Sequence, residues 1–147
     1  MDNQQIFHLI NGAIETVNEV IPVPLTRQQA RRVASPLQQH DLGVLVSFLG
    51  DIKGQLIYMF SNEYAKQFSK EMFEMELEGD MLDSFVGELG NMLSGNWATR
   101  ISATVRVEIA PPVVLKGSTQ LSTTASAFLV PFLGSYGEFQ MYVLVDS

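Results

Sequence analysis

Between Met81 and Ile101 the apolar residues recur at helical spacing. On a wheel of about 100° per residue, Met81, Leu82, Phe85, Leu89, Met92, Leu93 and, with some drift, Trp97 form one stripe. Ser84, Glu88, Asn91 and Gly95 fall on roughly the opposite side, so the pattern predicts a helix that turns the first set to a core and the second outward. Ile6 to Val20 is a second amphipathic helix, and Asn62 to Met75 reads as a third with Asn62 as its N-cap. β-branched and aromatic residues mark strands at Arg31 to Leu37, Gly43 to Leu49, Gln55 to Phe60, Thr104 to Ile109, Val113 to Leu115, Ala127 to Leu133 and Glu138 to Val145. Gly50-Asp51 and Gly134-Ser135 are the turns of two hairpins.

The hairpins repeat one another. Leu45-Val46-Ser47-Phe48-Leu49-Gly50 and Leu129-Val130-Pro131-Phe132-Leu133-Gly134 agree at five of six positions with an offset of 84 residues, and Tyr58 and Tyr142 keep the same offset. The order of elements recurs around each copy, which predicts two related α-β-β-β halves. Each is too short to stand alone. An α+β, sandwich-like fold follows, with both halves sharing one largely antiparallel sheet and the helices on one face. At 147 residues, 46% hydrophobic and 17% charged, residues 1–147 are expected to form one folded domain.

Charge and residue types then narrow the chemistry. The formal charge is −7 and the Lys and Arg residues are scattered, so nothing suits a nucleic-acid backbone. There is no cysteine, hence neither a disulfide framework nor thiolate chemistry. Met1-Asp2-Asn3-Gln4-Gln5 lacks the basic start of a signal peptide and no apolar run is long enough to span a bilayer, so a cytoplasmic protein with no membrane segment is expected. His8 and His40 stand too far from other ligands for a metal centre. Glu76, Glu78, Asp80 and Asp83 suit the positive end of the helix they precede, as caps and solvated groups, and the methionines at helical spacing read as core filling.

Glu88 and Asn91 therefore draw the eye: an acid and an amide one turn apart, on the outward face, set among Gly87, Gly90, Ser94 and Gly95. Each glycine inside a helix costs on the order of 1 kcal/mol relative to Ala. Either a large partner approaches the backbone here, or another element of the same protein packs there. The run Gly87-Glu88-Leu89-Gly90-Asn91-Met92-Leu93-Ser94-Gly95, followed by Ile109-Ala110-Pro111-Pro112-Val113-Val114, resembles the CheC/CheX/FliY family of chemotaxis phosphatases, and its CheX branch in particular. The family pattern of an Asp or Ser, a Glu, an Asn and a later Pro reads here as Ser84, Glu88, Asn91 and Pro112, with the Pro one or two residues early.

The resemblance implies hydrolysis of the phosphoaspartate of a CheY-type response regulator. In that chemistry Asn91 would hold the attacking water. Glu88 would pair with a regulator cation, or act as general base if the water lies within its reach. Ser84, Gly87 and Gly95 would shape the contact surface, while Pro111 and Pro112 would fix the strand beside the helix. No cofactor of the chain's own is implied, the divalent metal, Mg in the simplest case, coming with the regulator. Glu15 and Asn18 repeat the acid–amide spacing in the first helix, but Thr16 and Val17 replace the glycines, and they are read as a solvated face. A non-catalytic adaptor for a phosphorylated regulator or flagellar switch component is the alternative. The chain stopping at Ser147, just after its last strand, favours the phosphatase. A homodimer is expected, both from the resemblance and from an exposed edge in the strand-rich final segment.

Overall fold

The computed structural model describes residues 2–21, 23–39 and 41–146; His40 lies outside them. Along the chain run α1 (Asn3–Val20), β1 (Leu25–Arg27), β2 (Arg31–Val33), β3 (Leu37–Gln39), β4 (Leu42–Gly50), β5 (Lys53–Phe60), α2 (Asn62–Phe73) and α3 (Gly79–Ile101). There follow β6 (Val107–Ile109), β7 (Val113–Lys116), β8 (Thr119–Leu121), β9 (Ser126–Gly134) and β10 (Gly137–Val145). The main sheet has the order β1-β9-β10-β5-β4-β6, with β2 also on β9 and β7 also on β4, and every pairing is antiparallel.

β4–β5 and β9–β10 are the two predicted hairpins, joined at the centre by β5 and β10. Ile57 opposes Tyr142 and Tyr58 opposes Met141, so a pseudo-twofold axis passes between residues that the repeat makes equivalent. The short strands complete the symmetry. Leu25–Arg27, Arg31–Val33 and Leu37–Gln39 recur as Val107–Ile109, Val113–Lys116 and Thr119–Leu121, each starting 82 residues later. The halves are interleaved: β1 and β2 of the first pair with β9 of the second, and β6 and β7 of the second pair with β4 of the first.

Sequence periodicity missed two things here. The strand expected over Arg31 to Leu37 is broken, because Pro36 has no N–H to give a ladder; β2 stays on the main sheet and β3 leaves it to pair with β8. β1 and β8 were not anticipated, being three-residue strands without enough length to show alternation. The separate β3–β8 ribbon covers the sheet face opposite the helices. Leu37, Ile57, Met59, Ala127, Leu129, Tyr142 and Leu144 are buried there, while Phe139, Met141, Val143 and Val145 of the same strands face the helices. With both faces covered, β5 and β10 read as continuous apolar runs instead of alternating ones.

The strand-rich final segment is central, not an edge, since β10 lies between β9 and β5. The edges are the interrupted pairs β1/β2 and β6/β7. Ala110 donates to the Ser47 carbonyl at 2.8 Å between β6 and β7, after which Pro111 and Pro112 offer no donors. The exposed-edge argument for a dimer therefore falls. α2 is capped by Ser61, whose Oγ accepts from the Tyr64 N–H at 3.0 Å, one residue before the expected cap. Among the described residues no helix is long and apolar enough to cross a membrane.

Candidate active site

α3 is buried around well over half of its circumference. Leu82, Phe85, Leu89, Leu93 and Trp97 lie in the core as the wheel predicts, but Val86, Gly87, Gly90, Ser94 and Ile101 are buried as well. Gly87, Gly90 and Ser94 of the second group face the sheet, whereas Ile101 meets Gly12 of α1. A Cβ on Gly90 would stand 2.5 Å from Val44 Cγ2, and one on Gly87 would touch Val114 Cγ2 at 3.5 Å and Pro112 Cγ at 3.9 Å. The glycines thus let the helix backbone descend onto β4 and β7. Pro112 abuts the helix, as a buttress should. On the other flank Trp97 Nε1 donates to the Leu9 carbonyl at 3.0 Å and its ring meets Phe48 at 4.9 Å between centroids, joining α1, α3 and β4.

What remains exposed is a narrow strip. Ser84 and Glu88 are fully on it, and Asn91 and Gly95 are half-buried along it. Neither Glu88 nor Asn91 has a hydrogen-bond or ion-pair partner among the described residues, although Asp83 pairs with Lys116 at 2.5 Å and Glu78 with Lys66 at 3.9 Å nearby. An acid and an amide left free on a helix seated this tightly are available to an outside molecule. Their bearing is held from below. Ser94, one turn on from Asn91 and buried, shares a 3.3 Å hydrogen bond with the Tyr58 hydroxyl of β5, and burial pushes that phenol up, so it stays neutral.

Several expectations change. Met81 is 61% exposed and shares the strip with Glu88, two turns away; Met75, Phe73 and Met72 are exposed close by, so these methionines do not fill the core. Gly87 is buried against the sheet and Gly95 lies 3.7 Å, at its would-be Cβ, from Ile109 Cδ1, so both glycines meet the chain's own strands. Glu78 occupies the N-cap of α3 without a side-chain capping bond, and it and Asp83 spend their charge on lysines. His8 bonds Thr104 Oγ1 at 2.8 Å, and no acid–histidine cluster suited to a metal occurs among the described residues.

Glu15 is ion-paired to Arg100 at 3.3 Å, and Arg100 also reaches Glu19. The repeat explains why this second pair differs. With the flanking strands 82 residues apart, the counterpart of Glu15 is Trp97, and Glu88 corresponds to Ile6. Glu15 thus stands where α1 meets α3, and Asn18, one turn on, is exposed to solvent; neither is at the equivalent of the exposed strip.

A family model described as chemotaxis phosphatase CheX matches residues 42–133, which include the free acid and amide. The CheY-P phosphatase CheX of Thermotoga maritima is 33% identical over 121 residues, covering 80% of this chain and 78% of that protein. In structure the chain is similar to a CheC-like superfamily protein from Shewanella sp. PV-4, with a TM-score of 0.84 at 19% identity and complete coverage (100%) of both chains. It is also similar to a chain of the CheX–CheY–BeF3–Mg2+ complex from Borrelia burgdorferi, with a TM-score of 0.79, 18% identity and 97% of each chain covered. Sequence likeness over most of the chain and agreement of the whole fold lead to one assignment: the chain belongs to the CheX family of chemotaxis phosphatases.

Proposed function

We propose that the protein hydrolyses the phosphoaspartate of a CheY-type response regulator. The observation that carries this reading is the free Glu88 carboxylate and free Asn91 amide on the exposed strip of a helix fixed to the sheet below. A water attacks phosphorus, the bond from phosphorus to the aspartyl oxygen breaks, the regulator recovers its carboxylate, and inorganic phosphate leaves with the water's oxygen. An acyl phosphate is already activated, so the demand is for position more than for covalent help.

Asn91 meets it. Its Oδ1 accepts from the water and its Nδ2 donates, which fixes the oxygen in line with the breaking bond without a strong base. Glu88, exposed on the strip, docks on a cation beside the phosphoryl group. The divalent cation that neutralises the phosphoryl oxygens is part of the substrate in this reading. Ser84 and Gly95 border the contact, and Gly87 contributes by seating the helix. Met81 and Phe73 add an adaptable apolar shoulder for the regulator at the N-terminal end of the strip. A homodimer is proposed on family likeness, with sedimentation as its check.

The test is phosphate release from a panel of phosphorylated response regulators under single-turnover conditions, with and without the protein. Acceleration lost in Asn91→Ala at unchanged thermal stability is expected. Binding of the phosphorylated regulator with no acceleration by the wild type would assign the adaptor role instead.

A further inference from the structure

The pseudo-twofold axis gives the packing of α3 on the β6–β7 edge a counterpart between α1 and the β1–β2 edge, and the two have diverged. Gln29 and Ala30 stand where the second half has Pro111 and Pro112, and Ile6 stands where it has Glu88. α3 closes on its strands through Gly87 and Gly90; the only glycine of α1, Gly12, faces α3 instead, with a would-be Cβ 3.0 Å from Ile101 Cγ2. α1 meets its own strands with isoleucines. A cavity of about 430 Å³ is left, floored by Ile6, Ile10, Ile14 and Phe128. That volume lies in the range of small-molecule sites.

The mouth is cationic in a chain of net charge −7. Arg27 and Arg32 lie on the helix side of the sheet, because in register they oppose Phe132 and Phe128 of the helix-facing core, and both line the cavity. Arg32 is held there, its guanidinium 5.9 Å over the Phe128 ring and bonded to Ser126 Oγ at 3.3 Å. Among the described residues neither arginine has an acidic partner, whereas Lys66, Arg100 and Lys116 are all ion-paired. Two guanidinium groups without an acidic partner among the described residues, above an apolar floor, match a ligand with an anionic head and an apolar tail.

We propose that this cleft is a binding site for a small amphiphilic anion, a carboxylate on an aliphatic chain, and that the half of the repeat with Ile6 in the place of Glu88 has become a ligand site. The probe is decanoate below its micelle-forming concentration, followed by calorimetry and by amide shifts of the isotope-labelled protein. Saturable one-to-one binding that moves amides of α1 and of residues 28–32 is expected. Arg27→Gln with Arg32→Gln should weaken it about tenfold or more, and Ala30→Phe should block it by filling the cavity from the loop, each with wild-type thermal unfolding. Decanol should bind at least tenfold more weakly and ignore the arginine change. The proposal is overturned if decanoate does not saturate, if decanol or inorganic phosphate alone binds as tightly, or if the same amides shift with protein concentration alone, which would put a second copy in the cleft.

Discussion

At the scale of single residues, the free side chains and the buried unpaired ones make opposite predictions. Asn91 is half-buried with no partner among the described residues, so Asn91→Ala is expected to leave thermal unfolding within about 0.5 kcal/mol of wild type while removing accelerated phosphate release. Glu88 is exposed and its proposed contact is ionic. Regulator affinity of the wild type should therefore fall with added salt more steeply than that of Glu88→Ala, and equal slopes in parallel titrations would remove the docking role. Tyr64 is the reverse case, its hydroxyl buried without a hydrogen-bond partner among the described residues. Burial, and then the nearby Tyr136, push that phenol up to about 12. The neutral form is the one that folding favours, so its contribution is present below an unfolded value of about 10 and is lost as pH rises from there through the folded value. Tyr64→Phe should stabilise the protein by about 1 kcal/mol at neutral pH and flatten the alkaline decline seen in denaturant titrations.

At the scale of elements, α3 is governed by how close it lies to β4. Gly90→Ala raises helix propensity by up to about 1 kcal/mol, yet its Cβ would enter Val44 at 2.5 Å, so the net effect is expected to be a loss of about 1–3 kcal/mol. The same change should lower phosphatase activity by tilting Glu88 and Asn91, and Val44→Ala in the same chain should restore part of both. A stability gain in Gly90→Ala alone would show that the helix does not sit as tightly as described. The polar part of the outward strip of α3, Ser84, Glu88 and Asn91, was legible from periodicity, whereas Met81, which joins it at 61% exposure, was not. The second buried face of the helix was not legible either, because glycine and serine look polar on a hydropathy wheel while acting here as space for a neighbouring backbone.

At the scale of the whole molecule, the interleaved repeat decides how many sites the chain carries. The counterpart of the exposed strip is the α1 cleft lined by Ile6, and Glu15 is tied to Arg100 instead. Replacing Glu15 and Asn18 together by Ala should leave the rate per subunit unchanged and cost no more than about 1 kcal/mol from an exposed ion pair, whereas the same change at Glu88 and Asn91 should abolish acceleration. Loss of about half the activity from the Glu15 and Asn18 variant, in a folded protein of unchanged oligomeric state, would show both halves to be catalytic.

The sequence by itself determined the three helices, the two hairpins, the repeat and the outward pair Glu88 and Asn91, since periodicity and local spacing are properties of consecutive residues. Only the tertiary structure decided that β1 and β2 cross to the other half, that β3 and β8 leave the sheet as a ribbon, and that Met81 is exposed while Gly87 is covered. Those outcomes depend on contacts between residues far apart in the chain, which a local pattern does not encode. For the same reason the ExxN of α1 and that of α3 look alike in sequence and differ in surroundings: Glu15 is exposed but paired to Arg100 of the other helix, whereas Glu88 has no partner among the described residues.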